Sequence, residues 1–187
     1  KNFHKCEGSI ASLDRLLTMP SLKTVVITGR WAVYMTGKGT ASESHERRRL
    51  FAEGDEAANR AAFEALLMTT IEKIRASGRH VVIIGPVPEL GFHLPTEMTK
   101  AMMQGKPAEF TLPRKDFDER QKDVLPFFAK LDTLDGVEAL YPHERLCDAT
   151  QCRTTADGDA LYIDDDHLSP TGAAFIAPLL KTSIGVK

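Results

Sequence analysis

The sequence predicts an α/β fold built on a parallel sheet. Three short apolar runs, most of them rich in β-branched residues, are typical of buried strands: Thr24–Thr28, His80–Pro86 and Gly136–Pro142. Between the first two lies Asp55–Ser77, whose apolar residues recur at the i, i+3, i+4 spacing of a helix. Strand, helix and strand in this order indicate a βαβ unit.

Length and composition fit one globular domain. The 187 residues include 42% apolar and 27% charged residues, and the formal net charge is -2. Mixed charges give no reason to expect a nucleic acid partner, which would need a basic face. The first residues, Lys1–Cys6, lack the apolar core of a signal peptide. Because the chain does not begin with Met, we expect it to be part of a longer protein.

The first half also contains a short helix and a long polar segment. Leucines at helical spacing predict a helix over Ile10–Thr18, which ends before Pro20. From Ala32 to Gly54 the apolar pattern disappears, and we expect a long surface loop. Its arginine-rich part, Glu46–Arg49, is either a solvated loop or a contact for an anionic substrate.

The second half predicts two further helices and another long loop. Val87–Pro113 has weak periodicity, and loops of this length are usually functional or mobile. A helix follows over Arg114–Leu134, and we expect a kink at Pro126. The last helix, Pro170–Leu180, should be kinked or ended early by Pro178.

The cysteines favour a loop disulfide. Cys147 and Cys152 lie close together in a polar stretch, so we expect them to be bonded, which implies an oxidising compartment. Two free thiols are the alternative. A zinc site is disfavoured because no second pair of ligands is present. Cys6 is left over, and we expect any partner of it to lie outside this sequence.

The chemistry is concentrated around a histidine that follows three aspartates. Asp164 lies three residues before His167, ahead of a helix that Ser169 would cap and Pro170 would begin. A short turn could fold Asp164 onto one imidazole nitrogen and leave the other facing a cleft, as hydrolysis or acyl transfer requires. A simple loop ion pair and a metal site built from the aspartates are the alternatives.

Other polar segments should meet this histidine at one edge of the sheet. Gly29–Trp31, Gly85–Pro88 and Pro142–His143 follow the three predicted strands. In open parallel sheets, sites form at the carboxyl ends of the strands. We therefore expect Asp164 and His167 to meet these segments there.

The motifs resemble those of a known family. The block Asp-x-x-His-Leu-Ser over Asp164–Ser169 resembles the last block of SGNH (GDSL-like) esterases and acyltransferases. Further segments look like the extracytoplasmic SGNH domain fused behind membrane acyltransferases of the acyltransferase-three family: Val26–Trp31, Gly85–Phe92, Leu146–Cys152, Asp157–Gly158 and Leu161–Tyr162. The resemblance covers nearly the whole chain.

The resemblance implies a fold, an activity and a location. The fold would be a three-layer α/β/α sandwich over residues 1–187, the C-terminal part of a longer membrane-anchored protein. The activity would be serine-dependent O-acyl, usually O-acetyl, transfer to or hydrolysis from a bacterial surface polysaccharide such as lipopolysaccharide. A membrane acyltransferase domain would deliver the acyl donor to this periplasmic domain, which would be tethered to the inner membrane and would need no cofactor or metal.

The resemblance also implies roles for individual residues. His167 would be the general base and Asp164 its orienting acid. We expect Asp165 and Asp166 to face solvent and favour the following helix dipole. Backbone N–H groups of Gly29–Trp31, together with the Arg30 side chain, are candidates for holding an oxyanion. Trp31 is either a core residue or a platform for a sugar ring.

The nucleophile is not recognisable. Related enzymes use the serine of a Gly-Asp-Ser motif that ends the first strand, and this motif is absent from the sequence. Too little chain precedes Ser9 for it to be a substitute, so we expect the first strand and its serine to precede Lys1. A degenerate, non-catalytic glycan-binding or scaffold module is the alternative function, and a secreted esterase that only hydrolyses is a third.

Overall fold

The computed structural model describes residues 5–40 and 55–184. In chain order the elements are α1 (Lys5–Leu17), β1 (Thr24–Ile27), α2 (Trp31–Thr36), α3 (Glu56–Ala76), β2 (His80–Ile84), α4 (Leu94–Met103), β3 (Thr111–Pro113), α5 (Arg114–Gln121), α6 (Val124–Leu131), β4 (Val137–Leu140), α7 (His143–Leu146), β5 (Gln151–Arg153), β6 (Thr155–Ala156), β7 (Asp159–Ala160) and α8 (Pro170–Ile184). No helix in these ranges is long and apolar enough to cross a membrane.

A parallel sheet forms the centre of the described fold, as the sequence predicts. Its strands lie in the order β1, β2, β4, with Val25 opposite Val81 and Ile83 opposite Ala139. The central strand β2 is fully buried at Val81, Val82 and Ile83. Parallel strands in this setting need apolar side chains on both faces, which explains the uninterrupted β-branched run.

Helices cover the sheet and bury two apolar clusters. The first cluster joins β1, β2 and β4 to α2, α3 and α6 and includes Trp31, Phe63 and Phe128. The second joins α4, α5, α7, β5 and α8 and includes Leu94, Phe117, Leu146, Cys152 and Ile176. The arrangement is the mixed α/β/α architecture that the sequence predicts.

The disulfide predicted in the sequence is present between Cys147 and Cys152. It lies at the start of β5, which pairs antiparallel with β3 so that Cys152 is opposite Leu112. Cys152 is completely buried in the second cluster. The bond therefore links a surface loop to the core.

The predicted loop Ala32–Gly54 is wrong at its start, where α2 forms. The helix buries Trp31, Ala32, Val33 and Met35 and ends at Gly37, whose φ of 72° is left-handed. Asn59 of α3 donates hydrogen bonds to the carbonyl oxygens of Tyr34 and Met35, at 2.8 and 2.9 Å. A six-residue helix is too short to show helical periodicity. The arginine-rich segment 46–49 lies outside the described residues.

The predicted loop Val87–Pro113 is also wrong, because it contains α4 and β3. His93 caps α4 by accepting a hydrogen bond from the backbone N–H of Thr96. Pro95 lies in the first turn of α4, where its missing N–H has no intrahelical partner to lose. The proline therefore helps to begin a helix here.

Two further predictions about prolines need correction. Arg114–Leu134 forms two helices, α5 and α6, which are separated at Lys122–Asp123. Pro126 is the third residue of α6 and so lies in the first turn. Proline is tolerated there because its missing N–H would have no intrahelical partner. Pro178 lies inside α8, which continues to Ile184, so the expected early end does not occur. The first helix also begins earlier than predicted, at Lys5.

Candidate active site

A cleft opens at the carboxyl ends of β1 and β2. Its volume is about 580 Å³, and its lining includes Gly29 and Arg30 after β1, Gly85 and Val87 after β2, and residues 164–168. Two of the three predicted strand-end segments therefore meet the aspartate–histidine stretch.

The third segment does not line the cleft. His143 is 6% exposed, and its ring packs against Phe117 with a centroid distance of 4.7 Å. Burial lowers the pKa of His143 to about 4, so this histidine is neutral under ordinary conditions. Its position is that of a core residue.

A tight turn brings Asp164 onto His167. The Oδ1 atom of Asp164 accepts hydrogen bonds from the backbone N–H groups of Asp166 and His167, at 2.9 and 2.7 Å. The Oδ2 atom lies 2.8 Å from His167 Nδ1. Because a carboxylate can only accept, Nδ1 carries the hydrogen, and Nε2 is the nitrogen that can take a proton from a group in the cleft.

The turn is fixed to the rest of the fold by main-chain bonds. The N–H of Leu90 donates to the carbonyl of Asp165 at 2.7 Å, so the segment after β2 is hydrogen-bonded to the turn. On the other side, Ser169 Oγ accepts from the N–H of Gly172 at 3.0 Å and donates to the carbonyl of Ala160 at 2.6 Å. Ser169 is therefore the N-cap of α8, as the sequence predicts.

The turn also shifts the acidity of both members of the pair. Burial opposes ionisation of Asp164, but the two backbone N–H groups and His167 outweigh it and lower its pKa to about 2. The hydrogen bond that His167 donates to Asp164 raises the pKa of His167 above its usual value. A histidine in this setting is a stronger base than a free imidazole.

Asp166 is not the solvent-facing residue that the sequence led us to expect. Its side chain is 4% exposed. Oδ1 lies 2.9 Å from His167 Nδ1, and Oδ2 lies 2.5 Å from Arg30 Nε. Burial raises the pKa of Asp166 to about 6, although both cationic neighbours favour the carboxylate. In the sequence the three aspartates look equivalent. Only the three-dimensional turn shows that Asp166 is buried while Asp164 and Asp165 are partly exposed.

Arg30 is held from a second side by a residue that the sequence analysis missed. Its Nη2 lies 2.9 Å from Oε2 of Glu89, whose side chain is 4% exposed. Glu89 also accepts from Arg120 Nη2 at 3.0 Å and from Gln121 Nε2 at 3.4 Å. A buried acidic residue in the segment Gly85–Phe92 was the available clue, but its partners lie far away in the chain.

Comparison with known proteins identifies the family of the chain. The family model described as the SGNH domain fused to AT3 domains matches residues 3–182. The chain belongs to this family. No curated protein is similar enough in sequence to count as a relative of this SGNH domain.

A solved structure shares the fold of this SGNH domain. The structure of the Salmonella ser. Paratyphi A lipopolysaccharide acetyltransferase periplasmic domain matches with a TM-score of 0.51 and 14% identity. The match covers 94% of this chain and 88% of that chain. At this identity the likeness supports the fold and leaves the activity to be argued from the site.

Trp31 belongs to the core of the SGNH domain and does not line its cleft. The side chain is 4% exposed, and its ring meets that of Phe128 edge-on with centroids 4.9 Å apart. The indole N–H donates to the carbonyl of Ile84 at 2.7 Å. The interpretation of Trp31 as a platform for a sugar ring is therefore wrong, and only its backbone stays a candidate for the site.

The acidic turn of the SGNH domain has the atoms of a small metal site, but its contacts favour an acid–base role. Ligand atoms of Asp164, Asp166 and His167 lie within 4.8 Å of one another. One oxygen of Asp166 already faces the Arg30 cation, and the Nδ1 hydrogen points at Asp164. A metal ion would have to displace both interactions.

A nucleophilic serine is not found among the described residues that line the cleft. Ser9 lies on α1 and is exposed. The described residues of the SGNH domain thus place an aspartate–histidine pair at the cleft.

Proposed function

We propose that this SGNH domain transfers O-acyl groups, most simply O-acetyl groups, to or from a bacterial surface polysaccharide. The observation that carries the proposal is the Asp164–His167 turn at the mouth of a cleft formed by strand ends. An acid that fixes the Nδ1 tautomer and a free Nε2 are the two features a general base needs.

The proposed route is a serine acyl-enzyme. His167 Nε2 takes the proton of the serine hydroxyl as its oxygen attacks the acyl carbonyl, and the protonated imidazole then gives the proton to the leaving group. A glycan hydroxyl or water, deprotonated by His167, attacks the acyl-enzyme in the second half. Asp164 stabilises the imidazolium in both halves.

The oxyanion would be held at the end of β1. Gly29 and Arg30 line the cleft, and the backbone N–H groups of Gly29–Trp31 lie where α2 begins, so they lack intrahelical acceptors. Loss of one such donor typically costs about 2.7 to 4 kcal/mol of transition-state stabilisation. The donor set therefore matters as much as the base.

The serine is proposed to lie on a strand that precedes Lys1. In the described part of the chain, β1 is at an edge of the sheet, and Val26 on it is 45% exposed. A further strand that paired with β1 would end beside Gly29, at the cleft. This placement supports a Gly-Asp-Ser nucleophile from the preceding segment.

The proposed location is extracytoplasmic. The family is one whose SGNH domains are fused to AT3 domains, and the similar solved structure is a periplasmic domain. The Cys147–Cys152 disulfide fits an oxidising compartment. We propose that a membrane acyltransferase domain delivers acyl groups to this domain and tethers it to the inner membrane, with a lipopolysaccharide or another bacterial glycan as acceptor.

The test compares the full-length protein with its His167→Ala variant on p-nitrophenyl acetate. We expect a loss of roughly 10²- to 10⁴-fold in kcat/KM, the usual contribution of a general base. His93→Ala is the matched control, because His93 is exposed and does not line the cleft. Equal turnover by wild type and His167→Ala would remove the catalytic assignment.

The same experiment separates the alternative of a non-catalytic glycan module. The lack of a serine among the described cleft residues favours that alternative. It predicts no turnover above the rate of His167→Ala, together with retained binding of polysaccharide. If turnover is found, analysis of the products with added polysaccharide distinguishes acyl transfer from hydrolysis.

A further inference from the structure

We propose that Asp166 is a second positioning residue, which holds His167 and Arg30 in one fixed arrangement so that base and guanidinium act together in the cleft. This inference rests on the proposed function. It assigns a role to the one buried member of the three aspartates.

The two carboxylate oxygens of Asp166 contact two different partners. Oδ1 lies 2.9 Å from His167 Nδ1, and Oδ2 lies 2.5 Å from Arg30 Nε. The side chain is 4% exposed, against 30% for Asp164. A carboxylate this buried is costly unless cationic groups compensate for its lost hydration. Arg30 does so permanently, and His167 does so when it is protonated.

Asp164 and Asp166 interact differently with Nδ1 of His167. The hydrogen of Nδ1 is directed at Asp164, which makes the hydrogen bond. Oδ1 of Asp166 lies at ion-pair distance from the same nitrogen, so Asp166 acts on His167 through its charge. Asp164 therefore sets the tautomer, while Asp166 ties the imidazole to the guanidinium.

The guanidinium of Arg30 contacts an acidic side chain on each of two sides. Asp166 forms an ion pair with Nε on one side, without hydrogen-bond geometry, and Glu89 accepts a hydrogen bond from Nη2 at 2.9 Å on the other. Glu89 is itself held by Arg120 of α5. The resulting series of alternating charges runs from α5 through Glu89, Arg30 and Asp166 to His167. A planar guanidinium bound at two of its nitrogens has little freedom to rotate.

For the reaction, this means that Arg30 and His167 keep fixed positions relative to each other. Arg30 lines the cleft beside Gly29, where the oxyanion is proposed to form, and His167 lines the same cleft. Proton transfer and oxyanion formation occur in one step, so their partners have to be correctly placed at the same moment. Asp166 is the side chain that contacts both.

The first test measures the pKa and tautomer of His167 by NMR in Asp166→Asn. The ionisable groups around the imidazole are Asp164, Asp165, Asp166 and Arg30. We expect Asp166→Asn to lower the pKa of His167 and to leave the Nδ1–H tautomer, whereas Asp164→Asn should disturb the tautomer. His143 is the internal control, since a general loosening of the fold would move its signals too. An unchanged His167 titration in Asp166→Asn would overturn the proposal.

The second test is a double-mutant cycle on kcat/KM of the full-length protein. Arg30→Lys keeps the charge but cannot bridge Asp166 and Glu89. We expect each of Arg30→Lys and Asp166→Asn to lose roughly 10- to 100-fold, mostly in kcat, since a misplacement of about 1 Å can cost this much. The double variant should be about as active as either single variant, because both break the same unit.

Additive losses, or no loss in Asp166→Asn, would contradict the coupling. Arg30→Lys with Asp164→Asn is the comparison cycle, and here we expect losses that add. If Asp166→Asn fails to fold, Asp166→Glu replaces it in the cycle, with thermal unfolding as the check. A loss in His167→Ala with no coupling between Arg30 and Asp166 would leave the proposed function standing and remove only this inference.

Discussion

Asp164 shows how one side chain can build a site from its immediate neighbours. One oxygen closes the turn by accepting two backbone N–H groups, and the other orients the imidazole of His167. All of these atoms lie within four consecutive residues. The hydrogen bonds within the pair therefore follow from local backbone geometry, while bonds from distant segments, such as that from the N–H of Leu90 to the carbonyl of Asp165, hold the turn in the fold.

The raised pKa of His167 predicts the pH dependence of activity. A general base has to be neutral, and the hydrogen bond to Asp164 keeps the imidazolium stable to higher pH than usual. We expect kcat/KM to rise with pH, with a midpoint above the ordinary histidine value of about 6.5. Asp164→Asn should move the midpoint to lower pH. A pH–rate profile of both proteins checks this, and a profile that does not move in the variant would contradict it.

The core position of Trp31 predicts that its replacement changes stability and leaves substrate binding alone. Trp31→Phe removes the N–H that donates to the part-buried carbonyl of Ile84. The loss of this hydrogen bond should lower the free energy of unfolding by about 1 kcal/mol. Urea unfolding followed by circular dichroism measures the loss, and KM should stay unchanged. A raised KM with unaltered stability would instead support contact with substrate.

Only part of the site was predictable from single residues. Asp164, His167 and Ser169 lie together in the sequence, so their spacing indicates their contacts. Arg30, Glu89 and Asp166 come from distant segments, and no local pattern states that they meet. The partner of a buried charge is decided by packing, which a sequence pattern does not reveal.

At the scale of elements, length decided what could be predicted. The three strands of the sheet and helix α3 have long apolar or periodic patterns, and each prediction is confirmed within a few residues. The shorter α2 and α4 were expected to be loops. These helices are stabilised by tertiary contacts, such as the bonds from Asn59 to the last turn of α2, and not by their own periodicity.

The start of α8 is an element whose position leaves no room for a side chain. A Cβ on Gly172 would lie 2.1 Å from the carbonyl oxygen of Leu161, which is backbone and cannot rotate away. We expect Gly172→Ala to lower the free energy of unfolding by about 1 to 3 kcal/mol or more and to disturb the neighbouring aspartate–histidine turn. Thermal unfolding and the kcat/KM of the variant measure the two effects.

Gly8→Ala is the matched control for that substitution. Gly8 is also helical, in α1, but a Cβ there would have no heavy atom within 4 Å. Alanine is favoured over glycine in a helix by about 1 kcal/mol, so this variant should be as stable as the wild type or slightly more so. Equal effects of the two substitutions would contradict the steric explanation.

At the scale of the whole molecule, the sheet and the helices packed on it form the cluster that holds Trp31. The disulfide stabilises the other cluster. Cys152 is fully buried opposite Leu112 of β3, and its disulfide joins β5 to Cys147 at the end of α7. The second cluster also carries the segments that lead into and out of the aspartate–histidine turn, Leu161 and Ile176 among them.

The disulfide predicts a stability that depends on redox conditions. Closing so short a loop contributes about 2 kcal/mol through the lost entropy of the unfolded chain. We expect a reductant to lower the Tm of the wild type and to leave the Tm of Cys147→Ala/Cys152→Ala unchanged. Scanning calorimetry with and without dithiothreitol makes the comparison. A reductant-insensitive Tm in the wild type would show that the bond adds nothing to stability.

The long-range contacts of the turn also determine when it can form as the chain is made. Thr40 contacts Asp165 across 125 residues of sequence, and Arg30 reaches Asp166 over a similar span. A ribosome that has completed β1, α3 and β2 has produced a sheet with its guanidinium but without the aspartates that hold it. Arg30 can meet Glu89 once the segment after β2 has been made, but Asp166 is synthesised only shortly before the last helix, so the site is among the last features of the domain to be assembled.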